Sequence, residues 1–216
     1  MKKIALLVLA GLSFSFAQAQ GVQFGLKAGV NYSNLAGDLQ EEDMFQNKLG
    51  FVGGVTANLP LSSDGFLNLA PELLYSSKGY QYQDDEITVG TEVWKYKGDV
   101  SFNYIDLPVM LRVNAGGLFF EGGPVASYLL DIKDKTEVKM GSNDYEDVKI
   151  IDKGDAADFE IGYAAGLGFK APMGIILNLR YNGSISALAD DDDGGGLNNG
   201  RHSLFQFTLG YLLGGQ

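Results

Sequence analysis

The segment formed by residues 104–113 restricts the fold more than any other part of the chain, because two kinds of side chain alternate along it. Successive side chains of a β-strand point to opposite faces, so this alternation predicts a strand with one apolar face. The opposite face carries an acid, a base and a proline: Asp106, Arg112 and Pro108. The apolar residues are Ile105, Leu107, Val109, Leu111 and Val113.

Seven further segments alternate with the same period of two and are also predicted to be strands. The connections between the eight segments alternate between long polar stretches and short stretches rich in turn-forming residues. Short turns at one end and long loops at the other are typical of outer-membrane barrels. We therefore predict an all-β fold, an eight-stranded antiparallel up-and-down transmembrane β-barrel. The other seven segments are residues 22–31, 49–59, 67–78, 118–130, 159–170, 175–182 and 203–211.

The N-terminal residues 1–19 have the composition of a secretory signal peptide. Lys2 and Lys3 precede an apolar run, and a small-residue pattern ends at Ala19 before Gln20. The alternative is an N-terminal membrane anchor, but the apolar run is short for a spanning helix. We expect export, cleavage near Ala19, and a single barrel domain over residues 20–216.

The composition excludes several classes of protein. The chain has no cysteine, which excludes a disulfide framework, a thiol nucleophile and a lipoprotein anchor. Its formal net charge is −11 and becomes −13 without Lys2 and Lys3, which disfavours nucleic acid as a partner.

The direction of the apolar face separates a membrane barrel from a soluble barrel of lipocalin type, which would turn that face inward. The polar faces contain many glycines, which weaken a water-facing strand but suit a narrow barrel interior. Tyrosines such as Tyr75, Tyr163, Tyr181 and Tyr211 lie on the apolar face, where a membrane barrel places its aromatic girdles. We therefore expect the apolar face to contact lipid.

With that orientation, acidic and basic side chains point together into the barrel. Buried charges must pair or meet interior water, so we expect a network of ion pairs. A hairpin closing at residues 114–117 would place Arg112 opposite Phe119, with Glu121 as a diagonal partner. The network either lines an ion path or fills a closed barrel, and the small bore of eight strands favours the closed barrel. The predicted interior residues are Lys27, Lys48, Glu72, Lys78, Asp106, Arg112, Glu121, Glu160, Lys170 and Arg180.

Four stretches of the chain resemble the PorT-like "porin family" of outer-membrane β-barrel domains: residues 25–35, 71–79, 104–108 and 122–124. The resemblance covers nearly the whole mature chain and implies an eight-stranded barrel of OmpA or OmpX type. It implies no catalytic residues. Pro71, Pro108 and Pro124 fall inside the predicted strands, and because proline donates no ladder hydrogen bond we expect bulges or ladder gaps there.

No part of the sequence predicts an enzyme or a cofactor site. His202 and Ser203 are adjacent in a strand and point to opposite faces, so they cannot act together in catalysis. The run Asp190, Asp191, Asp192 and Asp193 could hold Ca²⁺ weakly, but its spacing does not match an EF-hand. A solvated acidic loop is the simpler interpretation.

Two of the long connections contain hairpin signals. Residues 86–89 and 92–96 flank Gly90 and Thr91, and residues 136–140 and 145–151 flank a second turn. We expect the third to sixth predicted strands to extend beyond the membrane as a sheet that could take up a partner chain. The predicted function is a structural role or an interaction at the cell surface. The expected partners are membrane lipids, lipopolysaccharide and a protein that binds at the hairpins. The barrel is expected to be a monomer. The alternatives are a narrow channel and an accessory factor of protein secretion.

Overall fold

A computed structural model describes residues 21–37, 45–82, 86–89, 92–140, 146–148, 151, 153–189 and 199–213. Ten strands form one sheet, and eight of them close into a ring in the order β1–β2–β3–β5–β6–β8–β9–β10. All pairings are antiparallel, and the predicted fold class is confirmed. The strands are β1 (Gln23–Ala36), β2 (Phe45–Pro60), β3 (Leu67–Tyr82), β4 (Glu86–Val89), β5 (Glu92–Ala115), β6 (Leu118–Met140), β7 (Glu146–Val148), β8 (Phe159–Lys170), β9 (Ile175–Ser184) and β10 (Arg201–Leu213).

The three tight turns lie at one end of the barrel, as predicted from the lengths of the connections. The shortest joins β5 to β6 through Gly116 and Gly117 alone, and Gly116 has a φ of 70° that favours glycine. In the longer β2–β3 turn, Asp64 accepts hydrogen bonds from the Ser62 hydroxyl at 2.5 Å and the Phe66 amide at 3.0 Å. The Ser62 hydroxyl, followed by the Phe66 amide, lowers the pKa of Asp64.

The apolar face of the strands is the outer surface of the barrel. In β5, the inward side chains of Asp106 and Arg112 are each 4% exposed, whereas the outward Leu107 is 50% exposed. A soluble barrel would have the opposite arrangement, so the outer face is the lipid-contacting face. Between residues 21 and 213, the described ranges include no helix that is long and apolar enough to cross a membrane.

Aromatic side chains cluster on the outer surface near the long-loop end. The rings of Tyr128 and Phe159 lie 5.0 Å apart, and Tyr181 contacts both Tyr163 and Phe205, at 6.3 and 5.5 Å between centroids. Tyrosine and other aromatic rings prefer the boundary between lipid and water. The cluster therefore indicates where the extracellular edge of the membrane lies.

The three strand prolines lie in gaps of the hydrogen-bonded ladder, as predicted. The paired register omits Pro71 between β2 and β3, Pro108 between β3 and β5, and Pro124 between β5 and β6. Each gap has the same cause, which is that proline has no backbone N–H to donate. The bulges lie elsewhere: the register shifts between Asn47 and Val52 of β2 and at Asn103–Tyr104 of β5.

Beyond the membrane boundary, β5 and β6 continue as a paired ribbon and β4 and β7 pair with its two outer edges. Both predicted hairpins are therefore confirmed, with Val89 opposite Glu92 and Thr136 opposite Val148. The prediction that the sixth strand also extends beyond the membrane as part of this sheet is wrong. That strand, β8, begins only at Phe159, after a 3₁₀ turn at Lys153–Asp155.

Candidate functional site

The barrel interior collects most of the charged residues that the sequence analysis assigned to it. Eight of them are buried, while two lie nearer the ends. Lys170 lies near the tight turns, where its Nζ donates to Gln23 Oε1 at 2.7 Å, and Lys48 pairs with Asp99 at the opposite end. The buried eight are Lys27, Glu72, Lys78, Asp106, Arg112, Glu121, Glu160 and Arg180.

Arg180 on β9 lies at the centre of the interior and bridges two carboxylates from distant strands. Its Nη1 and Nη2 atoms donate to Glu72 of β3 at 2.7 and 2.8 Å, and its Nε atom donates to Glu121 of β6. The Arg180 side chain is fully buried. This two-nitrogen contact with Glu72 is the geometry in which an arginine binds a carboxylate most strongly.

The bridge continues on both sides into a chain of alternating charge. Lys27 of β1 lies 3.1 Å from Glu72, and Arg112 of β5 lies 2.8 Å from Glu121. Five charged side chains from five strands thus run from Lys27 to Arg112 across the barrel. Each of the two carboxylates contacts two cationic side chains, so neither carboxylate is buried without a partner of opposite charge.

The predicted contact between Arg112 and Glu121 is therefore confirmed, but its predicted register was wrong. The two residues are directly opposite each other, and Phe119 is opposite Asn114. The turn has two residues where the prediction used four, and this moves every β6 partner by two positions. Phe119 still contacts Arg112, whose guanidinium lies 4.3 Å from the ring centroid.

Glycines provide the space that these long side chains occupy. Gly166 of β8 lies directly between Glu121 and Arg180 in the register. A Cβ atom at Gly166 would lie 2.9 Å from Arg180 Cγ, closer than packed carbon atoms approach. The inward glycines that argued for a membrane barrel thus have a specific role here.

A second cluster lies nearer the extracellular end, around Lys78 of β3. Its Nζ lies 3.2 Å from Asp106 and 3.1 Å from Glu160, and it donates to Ser127 at 3.2 Å. Glu160 also contacts His202 Nδ1 at 2.7 Å. The cluster joins β3, β5, β6, β8 and β10.

His202 was not among the predicted interior residues, but it is buried and belongs to this cluster. Its ring packs edge-on against Phe102 and Tyr104, with centroids 5.1 and 5.7 Å away. The signal that could have predicted this position is the alternation along β10. Every second side chain points inward, and His202 falls in the same inward row as Gln206 and Thr208. Ser203 points outward, as expected from its adjacent position, and contacts Tyr181 Oη at 3.0 Å.

Apolar clusters cover the charged interior at both ends. At the tight-turn end, Phe119, Ile176 and Leu212 are buried together. At the extracellular end, ten buried residues form a larger cluster, which includes Ile151 and Leu188 from the long connections. Its other members are Leu35, Tyr80, Val100, Phe102, Tyr104, Leu129, Ile132 and Ala189. The polar interior is therefore closed above and below.

The described residues hold no group of three or more histidine, cysteine or acidic side chains suited to a metal ion. The predicted weak Ca²⁺ loop, Asp190 to Asp193, lies outside the residues that the structure describes.

The fold and interior define a class of protein, a membrane-spanning β-barrel with a closed polar core. The family model for the outer membrane protein beta-barrel domain matches residues 16–190, so the chain belongs to this family and is located in the bacterial outer membrane.

Solved structures with a similar fold include three bacterial barrels of low sequence identity. The Ail attachment invasion protein of Yersinia pestis, solved with the heparin analogue sucrose octasulfate, has 15% identity and a TM-score of 0.46, covering 89% of this chain and 99% of Ail. Neisserial surface protein A has 11% identity and a TM-score of 0.48, covering 87% and 96%. OprG of Pseudomonas aeruginosa has 8% identity and a TM-score of 0.37, covering 89% and 94%. No curated protein matches the sequence.

Proposed function

We propose that this protein is a non-enzymatic, monomeric outer-membrane barrel that binds a partner protein at the cell surface. The observation that carries the proposal is the extracellular sheet β4–β5–β6–β7. β5 and β6 have 24 and 23 residues, whereas β8 has 12 and β9 has 10. A strand of about 9–11 residues is enough to cross a bilayer, so β5 and β6 extend well beyond it.

The proposed contact is strand addition at an edge of this sheet. β4 and β7 are the end strands in the described sheet order, and each pairs with a single neighbour there. An edge strand presents a row of backbone donors and acceptors that an extended segment can join. The partner is therefore an extended protein segment rather than a compact surface.

In vivo photo-crosslinking from position 88, in β4, tests this function. We expect an adduct with a second protein that disappears when Glu86→Pro removes a backbone N–H that points away from β5, since 87 and 89 are the residues of β4 that hydrogen-bond to β5 across the two-residue turn. The matched control is a crosslinker at Leu107, which faces lipid. Absence of a protein adduct at position 88 and also at 147 in β7, or an adduct that Glu86→Pro leaves unchanged, would refute the proposal.

We also propose that lipopolysaccharide contacts the outer face of β6 just above the aromatic girdle. Lys133 and Lys135 are exposed there, beyond Tyr128 in the strand, and Lys153 Nζ lies 5.5 Å from the Tyr128 ring. Lysines at this height suit the phosphate groups of the outer leaflet. Replacing Lys133 and Lys135 by glutamine should reduce co-purifying lipopolysaccharide, whereas Lys97→Gln, higher on the ribbon, should not. Equal amounts in all variants would refute this contact.

The interior charges are proposed to have a structural role, namely to hold the barrel closed. The nine residues are Lys27, Glu72, Lys78, Asp106, Arg112, Glu121, Glu160, Lys170 and Arg180. The signal peptide is proposed to be removed after Ala19. The intact mass of the protein isolated from purified outer membranes tests this cleavage.

The finer resemblance to the PorT-like branch suggests a second function, assistance to protein secretion. The extracellular sheet is compatible with this function, since a secreted chain is one form of extended partner. Comparison of the secreted proteins of a deletion strain and its parent tests it. Unchanged secretion would remove this candidate and leave the surface-binding proposal intact.

A further inference from the structure

Two small cavities lie among the buried charges, one on each side of Arg180. In each, the space open to the centre of a water molecule is about 10 Å³. The upper cavity is lined by Asp106, Asn182, His202 and Gln206, beside Lys78 and Glu160. The lower cavity is lined by Asn178 and Thr208, beside Lys27, Glu72 and Arg112.

Among the described residues, every buried side-chain nitrogen or oxygen atom that lacks a hydrogen-bond partner belongs to a residue lining one of these cavities. In the upper cavity the atoms are Asp106 Oδ1, Asn182 Nδ2, His202 Nε2 and Gln206 Oε1. In the lower cavity they are Asn178 Oδ1 and Thr208 Oγ1. Asp106 Oδ1 also lies 3.2 Å from Lys78 Nζ, as an ion pair.

Burying such an atom without a partner is unfavourable, and five of these six residues are at most 4% exposed. A buried water needs roughly 10–15 Å³ of this kind of space and 2–4 polar partners. Both cavities satisfy the first condition, and their six atoms satisfy the second. We propose that each cavity binds a single water molecule as a permanent part of the barrel.

The upper site matches the hydrogen-bonding capacity of water. The two water protons suit the acceptors Asp106 Oδ1 and Gln206 Oε1. The amide nitrogen of Gln206 already donates to Asn31 Oδ1 at 3.0 Å, so its amide oxygen faces this site. Asn182 Nδ2 donates to the water oxygen, and His202 Nε2 lies at the same cavity. A metal cation fits less well, because Lys78 and Asn182 present donors to this space.

The two waters are isolated from one another. Asn178, Arg180 and Asn182 are successive inward residues of β9, so Arg180 lies between the two sites along the strand. Its guanidinium is held between Glu72 and Glu121 and occupies the centre of the barrel. The interior therefore contains two separate waters rather than a continuous column, and the upper water links side chains of β5, β9 and β10.

A crystal structure that resolves ordered waters tests the proposal in the wild-type protein. We expect one water peak within hydrogen-bond distance of at least three of the four upper atoms, and one peak contacting Asn178 Oδ1 and Thr208 Oγ1. An empty cavity, a peak with the short ligand distances of a metal ion, or a row of peaks passing Arg180 would overturn it.

Two variants that keep the number and branching of the side-chain heavy atoms provide a second test. Asn182→Leu should remove the upper water alone, and Thr208→Val should remove the lower water alone. Oxygen-17 magnetic relaxation dispersion, which detects long-lived internal waters, should show a loss of one water in each variant relative to wild type. The proposal would be overturned if the wild-type protein shows no long-lived internal water, a result that does not require either variant to fold. It would also be overturned if both variants fold and their oxygen-17 relaxation is the same as that of wild type.

Discussion

Replacing Arg180 by methionine is the most informative perturbation of the barrel interior. Methionine has a similar length and no charge, so it removes the bridge while leaving most of the packing volume. Glu72 then loses two hydrogen bonds, of 2.7 and 2.8 Å, and Glu121 loses the contact with Arg180 Nε. Both carboxylates remain buried.

The expected loss of stability follows from the partners that remain. Removing one member of a buried ion pair costs about 3–5 kcal/mol, because the other charge stays in a low-dielectric site. Lys27 and Arg112 each still compensate one carboxylate, at 3.1 and 2.8 Å. We therefore expect a loss of about 3 kcal/mol, the lower end of that range.

Lys27→Met is the matched control. It removes a cation from the same carboxylate, but Glu72 keeps both hydrogen bonds from Arg180. The expected loss is smaller, about 2 kcal/mol, because a hydrogen bond to a charged group contributes about 1.5–3 kcal/mol. A double-mutant cycle of Arg180→Met with Glu72→Gln should give a coupling energy of about 1–3 kcal/mol, since the two side chains are in contact.

Equilibrium unfolding in urea, with the protein folded into lipid vesicles, measures these differences. The folded fraction is obtained from the different electrophoretic mobility of unheated and heated samples. The reasoning is refuted if Arg180→Met stays within about 0.5 kcal/mol of wild type, which is typical of a surface substitution. It is also refuted if Lys27→Met costs more than Arg180→Met.

Three further predictions concern the glycine beside the bridge, the lipid face and a turn. Gly166→Ala should destabilise the barrel by about 1–3 kcal/mol, because the added Cβ would overlap the Leu179 carbonyl oxygen and lie 2.9 Å from Arg180 Cγ, and the same urea titration measures this. Leu107→Arg should cost about 2–4 kcal/mol in that assay if Leu107 faces the middle of the bilayer, and no cost would contradict the outward orientation. Ser62→Ala should raise the pKa of Asp64 toward its usual value, which carboxyl NMR titration follows. The depressed pKa contributes stability that is lost as pH falls through it, so Ser62→Ala should reduce the acid sensitivity of this turn.

The alternation of side chains predicted the strands and which residues share a face, and the connection lengths, the inward glycines and the tyrosines then predicted a membrane barrel with its apolar face outward. In β5, a period of two places Asp106 and Arg112 inside and Leu107 outside, and one buried face leaves no other register. The ladder gaps at Pro71, Pro108 and Pro124 were predictable for a similar reason, because the missing N–H is a property of the residue itself.

The partners of the interior charges were only partly predictable. Arg112 and Glu121 lie across a hairpin, so their contact needed only the turn. Arg180 and Glu72 are 108 residues apart, and they meet because the closed ring places β9 opposite β3. Which strands face each other across a barrel depends on strand tilt and stagger, which a single sequence does not specify.

Channel recording in a planar lipid bilayer tests the closed core most directly. Arg180 and its two carboxylates fill the centre of the barrel, and apolar clusters cover both ends. We predict no steady conductance from the purified, folded protein under conditions in which a porin reconstituted in the same way conducts. Steady, reproducible channels with a fixed unit conductance would contradict the closed core and make transport the function of the barrel.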